Sequence, residues 1–194
     1  MPIIYFLAHP EVLIDPQVPV PQWPLSDIGR ARMESFCERA TWLSELTRLV
    51  SSAETEALDG AKIIQRRYAL ALHADSRFNE LDRSATNYLS KAEHGVVSKA
   101  AFASQSADEC QWVGNTADAQ RRIVAAVSSL AQAYPADTIL VSSHGGIGTL
   151  LCHLLGDTIS TKHAMKNPGG GCYFSFDSQT QTPRSHWLDI DVAP

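Results

Sequence analysis

The chain has 194 residues, 44% of them apolar and 19% charged, with a formal net charge of -5. That length suits one domain spanning 1–194, and the composition is enough to fill a core. A mildly acidic chain has no general attraction for nucleic acid or an anionic membrane, so neither is expected as a partner, and a phosphate site would need a local positive patch.

Residues 3–7 (IIYFL) form a short apolar run rich in strand formers and predict a buried strand. It ends at Ala8-His9-Pro10, because Pro10 has no N–H to give a ladder and biases His9 toward an extended conformation. Asp15 to Pro24 carries Pro16, Pro19, Pro21 and Pro24 and predicts an ordered extended loop. Ser26 is a candidate N-cap for a helix running to about Leu46, with Met33, Phe36, Ala40 and Leu43 on one face. Thr47–Ser52 predicts a second strand. A helix over 54–72 would carry Ala57, Ala61, Ile64, Tyr68 and Leu72 on one stripe.

The stretch 75–115 has weak periodicity. It reads as a strand or turn near Arg77-Phe78, then loops and a short helix at about 96–106. Thr116 caps a helix to about Ala133. Thr138–Ser143 (TILVSS) is a strong strand signal that runs into His144-Gly145-Gly146 and a helix ending near Leu155-Gly156. Two last strands are expected near 171–176 and 185–190.

Alternating strands and helices predict an α/β fold, a mostly parallel central sheet with helices on both faces. Ligands of such sheets collect at the carboxyl ends of the strands. His9 and His144 sit at two such ends. Cys37, Cys110, Cys152 and Cys172 form no C-x-x-C pair and read as thiols of a reducing compartment. MPIIYFLAHP lacks a basic leader region, and no run approaches ~20 apolar residues, so a cytoplasmic protein is expected.

Four segments carry a resemblance. LAHPEV (7–12), PLSDIGRARMESF (24–36), SSAETEALDGAKII (51–64) and VSSHGGIGTLLCHLLG (141–156) resemble, in order and spacing, the motifs of the histidine phosphatase (phosphoglycerate mutase-like) superfamily. Within it the chain is similar to a divergent bacterial branch with His-Pro-Glu-Val in place of the usual Arg-His-Gly signature. The resemblance implies a three-layer α/β sandwich and a phosphohydrolase that works through a phosphohistidine, without cofactor or metal.

By that resemblance His9 is the nucleophile, and His144 contacts the phosphoryl oxygens, helped by the backbone N–H groups that follow it at Gly145 and Gly146. Glu80 in FNELDRSAT (78–86) is the first candidate for the proton donor and Asp82 the second. The family's two phosphate-clamping arginines are replaced here by Ala8 and Glu56. Losing two charge-assisted hydrogen bonds, each worth ~1.5–3 kcal/mol, would weaken phosphate binding by about two to four orders of magnitude. Arg83 is the candidate replacement cation, with Lys62, Arg30 and Arg77 behind it. Ser51 and Ser52 could donate to phosphate or cap the following helix. Gly169-Gly170-Gly171 could admit a ligand or simply open a strand. Cys152 and His153 lack zinc-ligand spacing.

The leading expectation is therefore a phosphohydrolase acting on a small phosphorylated molecule or a phosphoprotein. A catalytically degenerate binding protein on the same fold is the alternative. A phosphoglycerate mutase would need more cations than the sequence offers. A nucleotide-binding domain would need glycine and lysine signals that do not follow His-Gly-Gly-Ile-Gly.

Overall fold

The computed structural model describes residues 2–86, 88–103, 116–155 and 170–192. Six strands form one sheet in the order β3-β2-β4-β1-β5-β6. They are β1 (Ile3–Pro10), β2 (Arg48–Ser51), β3 (Leu72–Ala74), β4 (Ile139–Ser143), β5 (Gly170–Asp177) and β6 (Pro183–Asp189). β1 to β4 run parallel, whereas β5 pairs antiparallel with β1, and β6 with β5. The helices are α1 (Asp27–Arg39), α2 (Thr55–Tyr68), α3 (Lys91–Ala103), α4 (Thr116–Ala133) and α5 (Gly145–Leu154).

The strands' alternation sorts the side chains into two cores. Ile4, Phe6 and Ala8 of β1 join Ile139 and Val141 of β4 against Ile123 and Val127 of α4 and Ile147 of α5. Leu7 and Leu140 face the other way, against Met33 and Phe36 of α1 and Ile64 of α2. The result is the expected three-layer α/β sandwich.

The boundaries differ from the sequence reading in physically legible ways. β1 continues through His9 to Pro10, which pairs with Gly170; Pro10 is tolerated at the strand's end. Ser26 caps α1 by accepting from the Gly29 N–H. α1 stops at Arg39 rather than Leu46, because Ala40 leaves helical geometry, and Thr41–Glu45 form a 3-10 turn. α2 ends at Tyr68, with Ala69 left-handed at φ 52, so Leu72 belongs to β3 and not to the helical stripe. Arg77 and Phe78 lie in a 3-10 turn and not in a strand, although Phe78 is fully buried. α3 starts earlier than the periodicity indicated; residues 104–106, Cys110 and Gly156 lie outside the described residues. Gly170 and Gly171 open β5 at φ +65 and φ +77, where a side chain would be strained. Among the described residues no helix is long and apolar enough to cross a membrane.

Two helical glycines make a matched test of packing. A Cβ at Gly29 would overlap the Glu11 carbonyl oxygen, whose backbone crosses α1 there, whereas a Cβ at Gly60 would meet its nearest atom at 3.7 Å. Gly29→Ala should cost ~1–3 kcal/mol, and Gly60→Ala should be neutral or stabilising by about 0.5–1 kcal/mol. Thermal unfolding of the two variants reads the difference.

Candidate active site

The β1–β4 register places Ala8 opposite Ser143 at the carboxyl ends of two parallel neighbours. The next residues, His9 and His144, therefore come side by side. Their ring centroids are 5.2 Å apart with the planes at 75°. His144 is the extended N-cap of α5 and is 1% exposed, while His9 is partly exposed. The end of β4 is tied down on both sides: Ser142 Oγ donates to Ala57 O of α2, and Ser143 Oγ donates to Phe78 O.

Hydrogen bonding decides both imidazole tautomers. Nδ1 of His9 lies 2.8 Å from the Pro10 carbonyl, which can only accept. Nδ1 carries the proton, and Nε2 keeps its lone pair. Nε2 of His144 lies 2.8 Å from Ser52 Oγ. The Ser52 hydroxyl already donates to Asn79 Oδ1, which also accepts the Ala53 N–H. Having spent its only hydrogen, Ser52 accepts from His144 Nε2–H. The lone pair of His144 is thus on Nδ1, 3.7 Å from Glu56 Oε1.

Three glutamates surround the imidazoles. Glu54 Oε2 is 3.3 Å from His144 Nε2, and Glu54 Oε1 accepts the Glu80 N–H. Glu80 accepts from the backbone N–H groups of Gly146, Ile147 and Leu81, and Arg83 Nη2 stands 3.3 Å from its Oε2. A Cβ at Gly146 would lie 2.7 Å from Glu80 Oε1, so a side chain there would displace the Glu80 carboxylate from its seat. Glu56 is 4% exposed, and its Oε2 has no hydrogen-bond partner.

Burial dominates the electrostatics. It pushes Glu56 up to about 8, with the neighbouring Glu54 and Glu80 adding to the shift. Glu54 is raised to about 7 by burial and then by Glu80. Burial holds His144 well below the ordinary histidine range, reinforced by His9, Arg83 and Arg122. His9 is also lowered by burial, against the pull of the Pro10 carbonyl. Two neutral imidazoles therefore face partly protonated carboxyl groups. The contact between His144 and Glu54 is a neutral one and not an ion pair.

A family model, histidine phosphatase superfamily (branch 1), matches residues 13–189. The chain belongs to the histidine phosphatase superfamily. No curated protein matches it. Its fold is similar to that of mycobacterial glucosyl-3-phosphoglycerate phosphatase in complex with inorganic phosphate, at 18% identity and TM-score 0.73, covering 99% of this chain and 100% of that one. It is similar to Bacillus stearothermophilus YhfR, at 20% identity and TM-score 0.71, over 99% and 98% of the two chains. Phosphoglycerate mutase from Bacillus anthracis is similar at 13% identity and TM-score 0.71, over 97% and 93%.

Against that family frame, the structure brings His9, His144, Glu80, Arg83, Ser52 and Gly145 to one end of the sheet. It gives several of them other duties than expected. Glu80 fills the N-terminus of α5, so the Gly146 and Ile147 N–H groups are committed to a carboxylate of the chain itself. Ser52 holds His144 and accepts the Glu54 N–H. Gly145 lends its carbonyl to Thr149 Oγ1. Asp82 is exposed and caps a turn at Ser84. Arg30 and Lys62 pair with Asp59, and Arg77 with Asp75, so none of these three is committed to the imidazoles.

Glu54, Asn79 and Arg122 are site residues that the sequence did not single out. Arg122 of α4 donates to the carbonyls of Arg77, Asn79 and Glu80 and fixes the segment that delivers Glu80. Glu54 had a signal, since it shares the second motif with Glu56. Asn79 and Arg122 had none, because their roles depend on long-range contacts.

The raised Glu56 has a consequence for stability. Between its ordinary value of 4.5 and about 8, the native state binds the proton more tightly than the unfolded chain. Its contribution is fully present below 4.5 and is lost as pH rises through about 8. Glu56→Gln should therefore gain on the parent between pH 5 and pH 8.5, by on the order of 1–3 kcal/mol. Thermal unfolding at the two pH values measures it, and an equal difference at both would contradict the buried-acid assignment.

Proposed function

We propose that the protein is a phosphohydrolase acting through a phosphohistidine at His9. The observation that carries this reading is the His9 ring itself. Its Nδ1–H is held by the Pro10 carbonyl, and its Nε2 lone pair is left for attack beside a second imidazole. Membership of the histidine phosphatase superfamily supports it, as does a fold shared with a phosphatase whose structure holds inorganic phosphate.

In this reaction His9 Nε2 forms a bond to phosphorus as the bond to the leaving oxygen breaks. The leaving oxygen takes a proton from a glutamic acid of the site. Water then cleaves the phosphohistidine, and its proton restores that acid. Glu54, raised to about 7, suits this exchange near neutral pH better than Glu80, whose oxygens already accept from backbone N–H groups. Arg83 supplies the cation: it pairs with Glu80, and its charge acts on both imidazoles. The substrate class is a small phosphorylated molecule or a phosphorylated protein side chain, met in the cytoplasm.

One observation favours a second reading, a binding protein without turnover. A buried carboxyl group, Glu56, stands where the family places a phosphate-clamping arginine. A panel of phosphate esters assayed with chelator present separates the two. The phosphohydrolase reading expects turnover, a ³²P-labelled enzyme trapped by alkaline quench, and a loss of at least ~10³-fold in His9→Ala. Arg83→Ala should lower kcat/KM by about 10- to 100-fold. Equal rates for the parent and His9→Ala would remove the reading.

A further inference from the structure

We propose that His9, Glu56 and His144 form a binding site for one first-row divalent transition ion of the zinc type. Among the described residues, these three each offer one ligand atom, and the three atoms lie within 4.8 Å of one another. They reach the site from the end of β1, the first turn of α2 and the N-cap of α5.

The hydrogen bonds select the ligand atoms. His9 donates Nδ1–H to the Pro10 carbonyl, which leaves Nε2. His144 donates Nε2–H to Ser52, which leaves Nδ1. An imidazole that binds a metal usually gives its other N–H to such an outer partner, which fixes ring and tautomer. Both rings have one in place.

Glu56 supplies the independent observation. Its side chain is 5% exposed, and Oε2 has no hydrogen-bond partner. Its other oxygen stands 3.7 Å from His144 Nδ1, too far for a direct hydrogen bond. Two ligands ~2.0–2.1 Å from one tetrahedral zinc stand about 3.3 Å apart, so the His144–Glu56 pair needs a small adjustment, and His9, within 4.8 Å, closes the set by a side-chain movement. The His144 lone pair and the Glu56 carboxyl oxygen, 3.7 Å apart, can share a cation, which would displace the proton that burial otherwise holds on Glu56. At this position an arginine would hold phosphate, and a glutamate reverses the sign.

Two imidazoles and one carboxylate suit zinc, cobalt, nickel or iron(II), and suit magnesium or calcium poorly. Three protein ligands leave a fourth position open, as in zinc sites that bind water or a small ligand. The family resemblance implied no metal, and Cys152 and His153 lack ligand spacing. Ligands drawn from three distant segments leave no such spacing to find. The proposal does not rest on the phosphohistidine reading. The ion would take the lone pair that attack requires, so an ion-loaded chain cannot be phosphorylated at His9.

The test titrates the full chain, stripped with chelator, with Zn²⁺ by calorimetry and Co²⁺ by visible absorption. The proposal expects one ion per chain, the strong absorption of four-coordinate Co²⁺, and roughly 100-fold weaker binding in Glu56→Gln and in His144→Ala. Asp82→Asn, an exposed turn residue, should bind as the parent does. Absence of binding to the parent, or unchanged affinity in Glu56→Gln, would overturn it. If a buried substitution fails to fold, His9→Ala at its partly exposed position decides the matter by the same criterion. Ester turnover in chelator reads only the phosphohydrolase proposal, so either reading can fail while the other stands.

Discussion

Backbone pairing between β1 and β4 is the constraint on which the site depends. The two strands are far apart in sequence, and their parallel register sets Ala8 against Ser143. One residue further on, both strands present histidine. A one-residue slip would carry Phe6, Ala8 and Val141 out of their apolar layer, since side chains alternate faces. Packing of the core on the α4–α5 side therefore holds the two imidazoles together, although neither belongs to that core.

Around that pair the chain assembles an unusual balance of charge. The start of α5 is a natural seat for an anion, and Glu80 already occupies it. Arg122 and Arg83 steady the segment that brings Glu80 there. Burial keeps Glu54 and Glu56 partly protonated and both histidines neutral, so the cluster avoids the cost of unpaired buried charges. The chain has the family fold, and a buried carboxyl group, Glu56, stands beside His144. Glu54 is the proton source in one proposal for the site, and Glu56 is a ligand in the other.

Much of the architecture was legible in sequence because it rests on local signals. The apolar runs at 3–7 and 138–143, the Ser26 cap and the 116–133 periodicity all lie where strands and helices form. The errors fall where tertiary contacts overrule pattern. Leu72 continues the α2 stripe in sequence, yet Ala69 turns left-handed and sends it into β3. The strand-or-turn alternative at Arg77-Phe78 resolves to a 3-10 turn, with Phe78 buried by tertiary packing. At the site, motif order located both histidines and Glu80. It could not show that Glu80 caps α5, that Ser52 fixes a tautomer or that Arg122 reaches three carbonyls, since each depends on residues tens of positions away.

The central claim is that the two rings meet as neutral imidazoles with opposite tautomers, each fixed by its own hydrogen bond. Long-range ¹⁵N–¹H correlation spectra of the imidazoles, recorded on ion-free protein near pH 7, read this directly. The account predicts a protonated Nδ1 with an unprotonated Nε2 for His9, and the reverse for His144. Both nitrogens protonated in either ring, or the same tautomer in both, would contradict it.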